Sequence, residues 1–110
     1  MSHTQKFSSL FHFTKHEIKE VFKNVHTHAT IKGLKVLKAP TAFLHGKLLV
    51  ITPRAAGKAH DRNLIRRRLK AIYYEERLYN TQAIFIIIVY KNALNLSFTA
   101  LKQFLISTLQ

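Results

Sequence analysis

Apolar positions recur along this chain in two rhythms, one near 3.6 residues and one near 2, and the switches between them mark its elements. Thr14 to Glu17 reads T-x-x-E, a capping box, and Ile18, Val21, Phe22 and Val25 follow at helical spacing. The pattern predicts a first helix over 14–25. Residues 1–13 hold no sustained period and are expected to be irregular, and His26 to His28 interrupts the helical pattern. Residues 29–38 read as one strand, with Ile31, Leu34, Val36 and Leu37 apolar and Lys32, Lys35 and Lys38 charged. The segment from Pro40 to Gly46 reads as a loop or wide hairpin connection.

"KLLVIT", Lys47 to Thr52, is a short strand that Pro53 ends, because proline lacks the N–H a ladder needs. The loop "RAAG" leads to a long helix over 59–77, closed by "NTQ". "AIFIIIVYK", Ala83 to Lys91, is rich in β-branched and aromatic residues, as a central strand covered on both faces would be. Asn92 to Asn95 form a turn. Ser97 can cap a last helix, Phe98 to Leu109, whose buried face is Leu101, Phe104, Leu105 and Leu109. The order is α-β-β-α-β-α, with room for one extra short strand. It predicts an α+β fold: a single-domain α-β sandwich over 1–110, with one mixed sheet and helices packed on it.

Composition adds charge to this picture. The chain has 110 residues, 47% of them hydrophobic, which suffices for one core. It carries 18 Lys and Arg against 5 Asp and Glu, a net charge of +13. Self-repulsion of that size is relieved by a polyanion, and the candidates are nucleic acid and, less well supported, an anionic membrane surface. Cysteine is absent, which removes disulfides, thiol nucleophiles and Cys-based zinc sites and fits a reducing cytoplasm. The N-terminus "MSHTQKFSSLFHF" has no long apolar region of the signal-peptide kind, and "AIFIIIVY" is far short of the ~20 residues a membrane span needs. A cytoplasmic location, no membrane partner and no obligate protein partner are expected.

The charge concentrates in "GKAHDRNLIRRRLKAIYY", Gly57 to Tyr74. At about 100° per residue, Ile65, Leu69 and Ile72 share the face that must pack on the sheet. Arg62, Arg66, Lys70 and Arg77 fall on an adjacent arc, which Asn63 and Arg67 extend away from the core. Arg68 lies on the far flank with Glu75. Basic helix faces usually carry compensating acids at i±4, and this arc has none between Arg62 and Lys70. Arginines fixed on a packed rod can grip phosphate oxygens through paired N–H bonds. Asn63 suits a 2′-hydroxyl or base edge, and Gly57 and Lys58 make a phosphate seat at the positive end of the helix dipole.

At these residues the sequence resembles the protein subunit of bacterial ribonuclease P. That family carries G-(N/K)-A-x-x-R-N-x-x-(K/R)-R-x-x-(R/K), opening a long helix after a strand and loop. Here the positions are Gly57, Lys58, Ala59, Arg62, Asn63, Arg66, Arg67 and Lys70. "VFK", Val21 to Lys23, also resembles the family's first helix. There are departures: Leu64 where the family often has Arg, Ile18 where an aromatic is usual, a strand after the first helix without Phe or Tyr, and a loop, "PRAAG", with less lysine.

The resemblance implies a left-handed crossover around the long helix. It also implies that an RNA subunit, with bound Mg²⁺, cuts the 5′ leader from precursor tRNA. The protein would bind ribonuclease P RNA through Lys58, Arg62, Asn63, Arg66, Arg67 and Lys70. It would border a leader groove with Phe22, Lys32, Lys35 and Arg54.

The residues fit a helper role. Only Glu17, Glu20, Asp61, Glu75 and Glu76 are acidic, too few and too scattered for Mg²⁺-assisted hydrolysis by the protein alone. Glu17 and Glu20 are expected to serve the first helix, pairing with Lys19 or Lys23, and Asp61 the first turn of the long one. The pairs His12/His16 and His26/His28 lack an accompanying carboxylate or thiol, so no metal site and no catalytic residue is assigned. Phe85, Tyr90, Phe98 and Phe104 are expected in the core. Tyr73 is poised between stacking and burial. Phe7, Phe11 and Phe13 either cross the groove or order on RNA. The rival readings are a stand-alone structural RNA binder, ribosomal or an assembly factor, and a nuclease acting without RNA.

Overall fold

The computed structural model describes residues 7–31, 33–41 and 45–110. Its elements run α1 (Phe7–Phe11), α2 (Lys15–Lys23), β1 (His26–Ile31), β2 (Leu34–Ala39), β3 (Lys47–Ile51), α3 (Ala59–Glu75), β4 (Ile84–Val89) and α4 (Phe98–Leu109). Single turns of 3₁₀ helix at Arg54–Ala56 and Leu78–Asn80, and a longer one at Lys91–Asn95, join them. The sheet order is β1-β2-β4-β3. β1 and β4 pair antiparallel with β2, and β3 pairs parallel with β4, so the sheet is mixed and α3 makes the crossover.

Alternation along the strands sends side chains to two faces. Val36, Leu48, Phe85 and Ile87 meet Leu10 of α1, Ile65, Leu69 and Ile72 of α3, and Leu101, Leu105 and Leu109 of α4 in one large core. Leu37, Ala39, Ile84 and Ile86 form a smaller core on the other face under Val21 of α2, with Phe13, Val25, Leu49, Ile51 and Ile88 packed at its margin. β4 is therefore buried from both sides, as its composition predicts. Each fully buried Leu or Ile on α3 contributes about 1.5–3 kcal/mol, which fixes the helix against the sheet.

Several elements differ from the sequence pattern. The single strand at 29–38 is a hairpin: β1 begins at His26, within the segment read as a break, and the chain turns at Gly33. Gly33 has φ +85, and a Cβ there would lie 2.2 Å from the amide nitrogen of Ala93, so the turn requires glycine. Residues 7–11 are helical rather than irregular, because Leu10 enters the core and Phe11 packs against Tyr73 with centroids 5.8 Å apart. α2 has the full Thr14–Glu17 capping box and ends at Lys23. α3 ends at Glu75, and Arg77, expected on its cationic arc, lies beyond it with left-handed φ 52. α4 matches its expected span, with Ser97 Oγ accepting from the Ala100 amide at 3.1 Å.

Gly33→Ala is expected to lower stability by about 2 kcal/mol or more, through backbone strain and collision with Ala93. Urea unfolding followed by circular dichroism measures this; an unchanged midpoint would contradict the constraint.

Candidate nucleic-acid interface

α3 positions the cationic residues by burying its opposite edge. Ile65, Leu69, Ile72 and Tyr73 are all within the core. Tyr73 is therefore not a stacking platform: it is fully buried, its hydroxyl lacks a hydrogen-bond partner among the described residues, and burial pushes its pKa up. Lys58, Asn63 and Arg67 are exposed, while Arg62, Arg66 and Lys70 are half-buried. His60, Asn63, Arg66, Arg67 and Lys70 line a shallow hollow of about 420 Å³. His60 was not singled out in sequence, although its i, i+3 relation to Asn63 and i, i+7 relation to Arg67 places it there.

Arg62 and Arg66 both contact protein, but only neutral oxygens. Arg62 Nε donates to the Gly57 carbonyl at 3.1 Å, and its Nη1 donates to the Thr52 carbonyl at 3.4 Å. Arg66 Nη1 donates to Asn63 Oδ1 at 3.0 Å, and its Nη2 donates to Thr52 Oγ1. Among the described residues no carboxylate pairs with Arg62, Arg66, Arg67 or Lys70; the ion pairs join Glu17–Lys47, Glu20–Lys23 and Glu76–Lys102. Lys70 lies 5.4 Å over the Phe11 ring, and burial, together with Arg66, pulls its pKa below the usual lysine value. A phosphate here would relieve repulsion without displacing an internal salt bridge.

The N-terminal seat is reduced relative to expectation. The Gly57 amide donates to the Arg54 carbonyl at 3.2 Å and is not free for phosphate. Gly57 itself has φ +153, and a Cβ would lie 2.5 Å from Leu94 Cδ1, so glycine permits the close approach of the 3₁₀ segment. Leu64 faces away from the arginine arc and lines a small groove with Leu94 and Leu96, which Asp61 and Arg68 also border.

The second surface is the α2 side of the sheet. In register, Thr30, Lys35, Ile88 and Ile51 form one row across all four strands. Lys35, Ile88 and Ile51 are only half-buried, so this row lies at the margin of what α2 covers. Phe22 is 40% exposed on α2. Arg54 is exposed two residues beyond Thr52, at the same end of β3 as Ile51. Lys32 lies outside the described residues. Tyr90 and Phe98, expected in the core, are 48% and 41% exposed. Tyr90 lies just past the end of β4, and with Pro53, Ala55, Ala56, Val89, Lys91 and Asn92 it walls a hollow of about 370 Å³. Phe7 and Phe11 pack on α3 near Tyr74 and Tyr73 rather than across the groove.

Lys47 ties the two surfaces together. It is only 5% exposed, and its Nζ donates to Glu17 Oε2 at 2.9 Å and to the His12 carbonyl at 2.5 Å, while lying 4.2 Å over the Phe13 ring. This anchors the corner between α1 and α2 to the start of β3. Lys47, rather than Lys19 or Lys23, is thus the partner of Glu17, while Glu20 pairs with Lys23 as expected. Among the described residues no group of three or more His, Asp or Glu could hold a metal ion, and no helix is long and apolar enough to cross a membrane.

A mixed sheet with one partly open face, beside a packed helix whose arginines form no ion pair among the described residues, defines a small basic α+β protein. The family model described as Ribonuclease P matches residues 8–110, and the chain belongs to the ribonuclease P protein family. The ribonuclease P protein component of Onion yellows phytoplasma (strain OY-M) is 37% identical over 89 residues, covering 80% of this chain and 63% of that protein. The match thus spans less than two thirds of that relative's length.

The fold is also that of the Staphylococcus aureus RNase P protein, at TM-score 0.77 and 16% identity, covering 91% of this chain and 92% of that one. The Thermotoga maritima RNase P protein gives TM-score 0.76 at 17% identity, covering 90% and 94%.

The Lys47 hydrogen bond holds the Glu17 carboxyl below the usual glutamate pKa. A depressed carboxylate pKa stabilises the fold above the unfolded value and loses that contribution as pH falls through the folded one. Glu17→Gln is therefore expected to cost stability at pH 7 and to lose less on acidification below about pH 4.3 than wild type. Equal acid sensitivity in urea melts of the two proteins would contradict the pairing.

Proposed function

We propose that this chain is the protein subunit of ribonuclease P. It binds the catalytic RNA through Lys58, Arg62, Asn63, Arg66, Arg67 and Lys70 and assists RNA-catalysed removal of the 5′ leader from precursor tRNA in the cytoplasm. One observation carries the reading: Arg62 and Arg66 are held by neutral oxygens alone, so their charge stays available to an external phosphate. The hydrolytic chemistry belongs to the RNA with its Mg²⁺, because this chain's five carboxylates either pair with lysines or stand apart. The leader lies along the row of Lys35, Ile88 and Ile51, bordered by Phe22 on α2 and by Arg54. Tyr90 and Lys91, which share a hollow with Pro53 and Ala55, extend that path. A single-stranded leader suits such a surface, since bases stack on exposed aromatics while cations track the backbone.

Purified protein added to ribonuclease P RNA at low Mg²⁺ is expected to stimulate cleavage of precursor tRNA, with no cleavage by protein alone. Cleavage by protein alone would favour a protein nuclease, and no effect on the RNA's activity would favour a stand-alone structural binder. Arg62→Ala with Arg66→Ala is expected to reduce the slope of log affinity against log salt by about one to two. An unchanged slope in a folded variant would remove the assignment of that face. Phe22→Ala is expected to weaken binding of leader-bearing tRNA about fivefold or more while leaving leaderless tRNA unaffected, as loss of one stacking contact would do. Equal effects on both substrates would place the leader elsewhere.

A further inference from the structure

Two arginines one turn apart on α3 converge on one residue outside it. Arg62 Nη1 donates to the carbonyl of Thr52, and Arg66 Nη2 donates to its hydroxyl. Thr52 follows β3 directly and precedes Pro53, which biases it toward an extended backbone. Its β-branched side chain has few accessible χ1 rotamers, so the hydroxyl is a stiff acceptor. A second neutral oxygen completes each hold: the Gly57 carbonyl for Arg62 and Asn63 Oδ1 for Arg66. Of the five N–H donors a guanidinium carries, each arginine keeps roughly three for an external ligand.

We propose that Thr52 is a positioning residue of the RNA interface, which fixes the Arg62 and Arg66 guanidinium groups in their phosphate-binding geometry before RNA arrives. The idea rests on the assignment of the α3 face to the catalytic RNA. Long side chains lose rotamer freedom on binding, and a side chain already held by a neutral acceptor loses less. An acidic residue in the same place would hold the arginines equally well but would cancel their charge. A threonine orders them and leaves the charge intact.

Because the number of cations does not change, removing this acceptor has a signature distinct from removing an arginine. Thr52→Val keeps the shape and deletes the hydroxyl; Thr52→Ser keeps the hydroxyl. Affinity for ribonuclease P RNA is measured across a salt series for both, beside Arg66→Ala. Thr52→Val is expected to weaken binding about three- to tenfold at every salt concentration with the salt slope unchanged, and Thr52→Ser to stay within about twofold of wild type. Arg66→Ala is expected to lower the slope by about one.

Affinity of Thr52→Val equal to or tighter than wild type would overturn the proposal, since the hydroxyl would then be idle or would withhold Arg66 from RNA. So would a reduced slope in Thr52→Val, or a Thr52→Ser variant as weak as Thr52→Val. If Arg66→Ala binds as wild type does, the RNA assignment of α3 fails and the role of Thr52 fails with it. If Arg66→Ala weakens binding and Thr52→Val does not, only the role of Thr52 is lost.

Discussion

The burial of one edge of α3 is the constraint on which the rest depends. Ile65, Leu69, Ile72 and Tyr73 sit in the core between the sheet and α4, and that burial sets the helix's rotation. Rotation in turn decides which residues can be charged without cost to the core. Arg62, Arg66 and Lys70 emerge half-buried at the boundary, where a long cationic side chain is restrained by what it packs on. Their mutual repulsion is not answered by any acid among the described residues. The fold absorbs that cost through apolar burial, and in the proposed role a polyanion would convert it into binding.

The two candidate surfaces lie on opposite sides of one sheet, and short strands couple them. β3 contributes Leu48 to the core under α3 and Leu49 and Ile51 to the face under α2. The residue after it, Thr52, meets the arginines of α3, and Arg54 follows at the end of the open row. At the other end, Lys47 holds the α1–α2 corner through Glu17 and the His12 carbonyl. α1 then reaches back to α3, with Phe11 against Tyr73 and Lys70 over the Phe11 ring. A rigid β3 therefore sets the spacing between the cationic helix and the groove.

Local signals were legible in the sequence and long-range ones were not. The Thr14 box and the Ser97 cap placed α2 and α4 because a cap is a contact among residues three apart. The apolar run at Ile84–Val89 revealed a central strand because burial on both faces leaves no polar position. The hairpin left one mark, a change of phase from Ile31 to Leu34 and Val36 across Gly33, but the φ of +85 and the close approach of Ala93 that make that glycine obligatory are set by the fold. α1 is too short to nucleate alone and exists through its contacts with α3 and β3. The row Arg62, Arg66, Lys70 was readable from helical period. Its holding by Thr52, the Lys47–Glu17 pair and the exposure of Tyr90 depend on where a strand ends in space, which periodicity does not encode.

Everything proposed here turns on whether the arginines of α3 are ordered in the free protein and meet RNA in that arrangement. This is tested most directly by nuclear magnetic resonance of the arginine Nε–H groups during titration with ribonuclease P RNA. A resolved, slowly exchanging Arg62 Nε–H is expected before RNA is added, since it donates to the Gly57 carbonyl at 3.1 Å. The signals of Arg62, Arg66 and Arg67 are expected to shift together as RNA binds, with those of Arg68 and Arg77 little changed. An Arg62 signal lost to solvent exchange in the free protein, or RNA-induced shifts confined to Arg68 and Arg77, would contradict it.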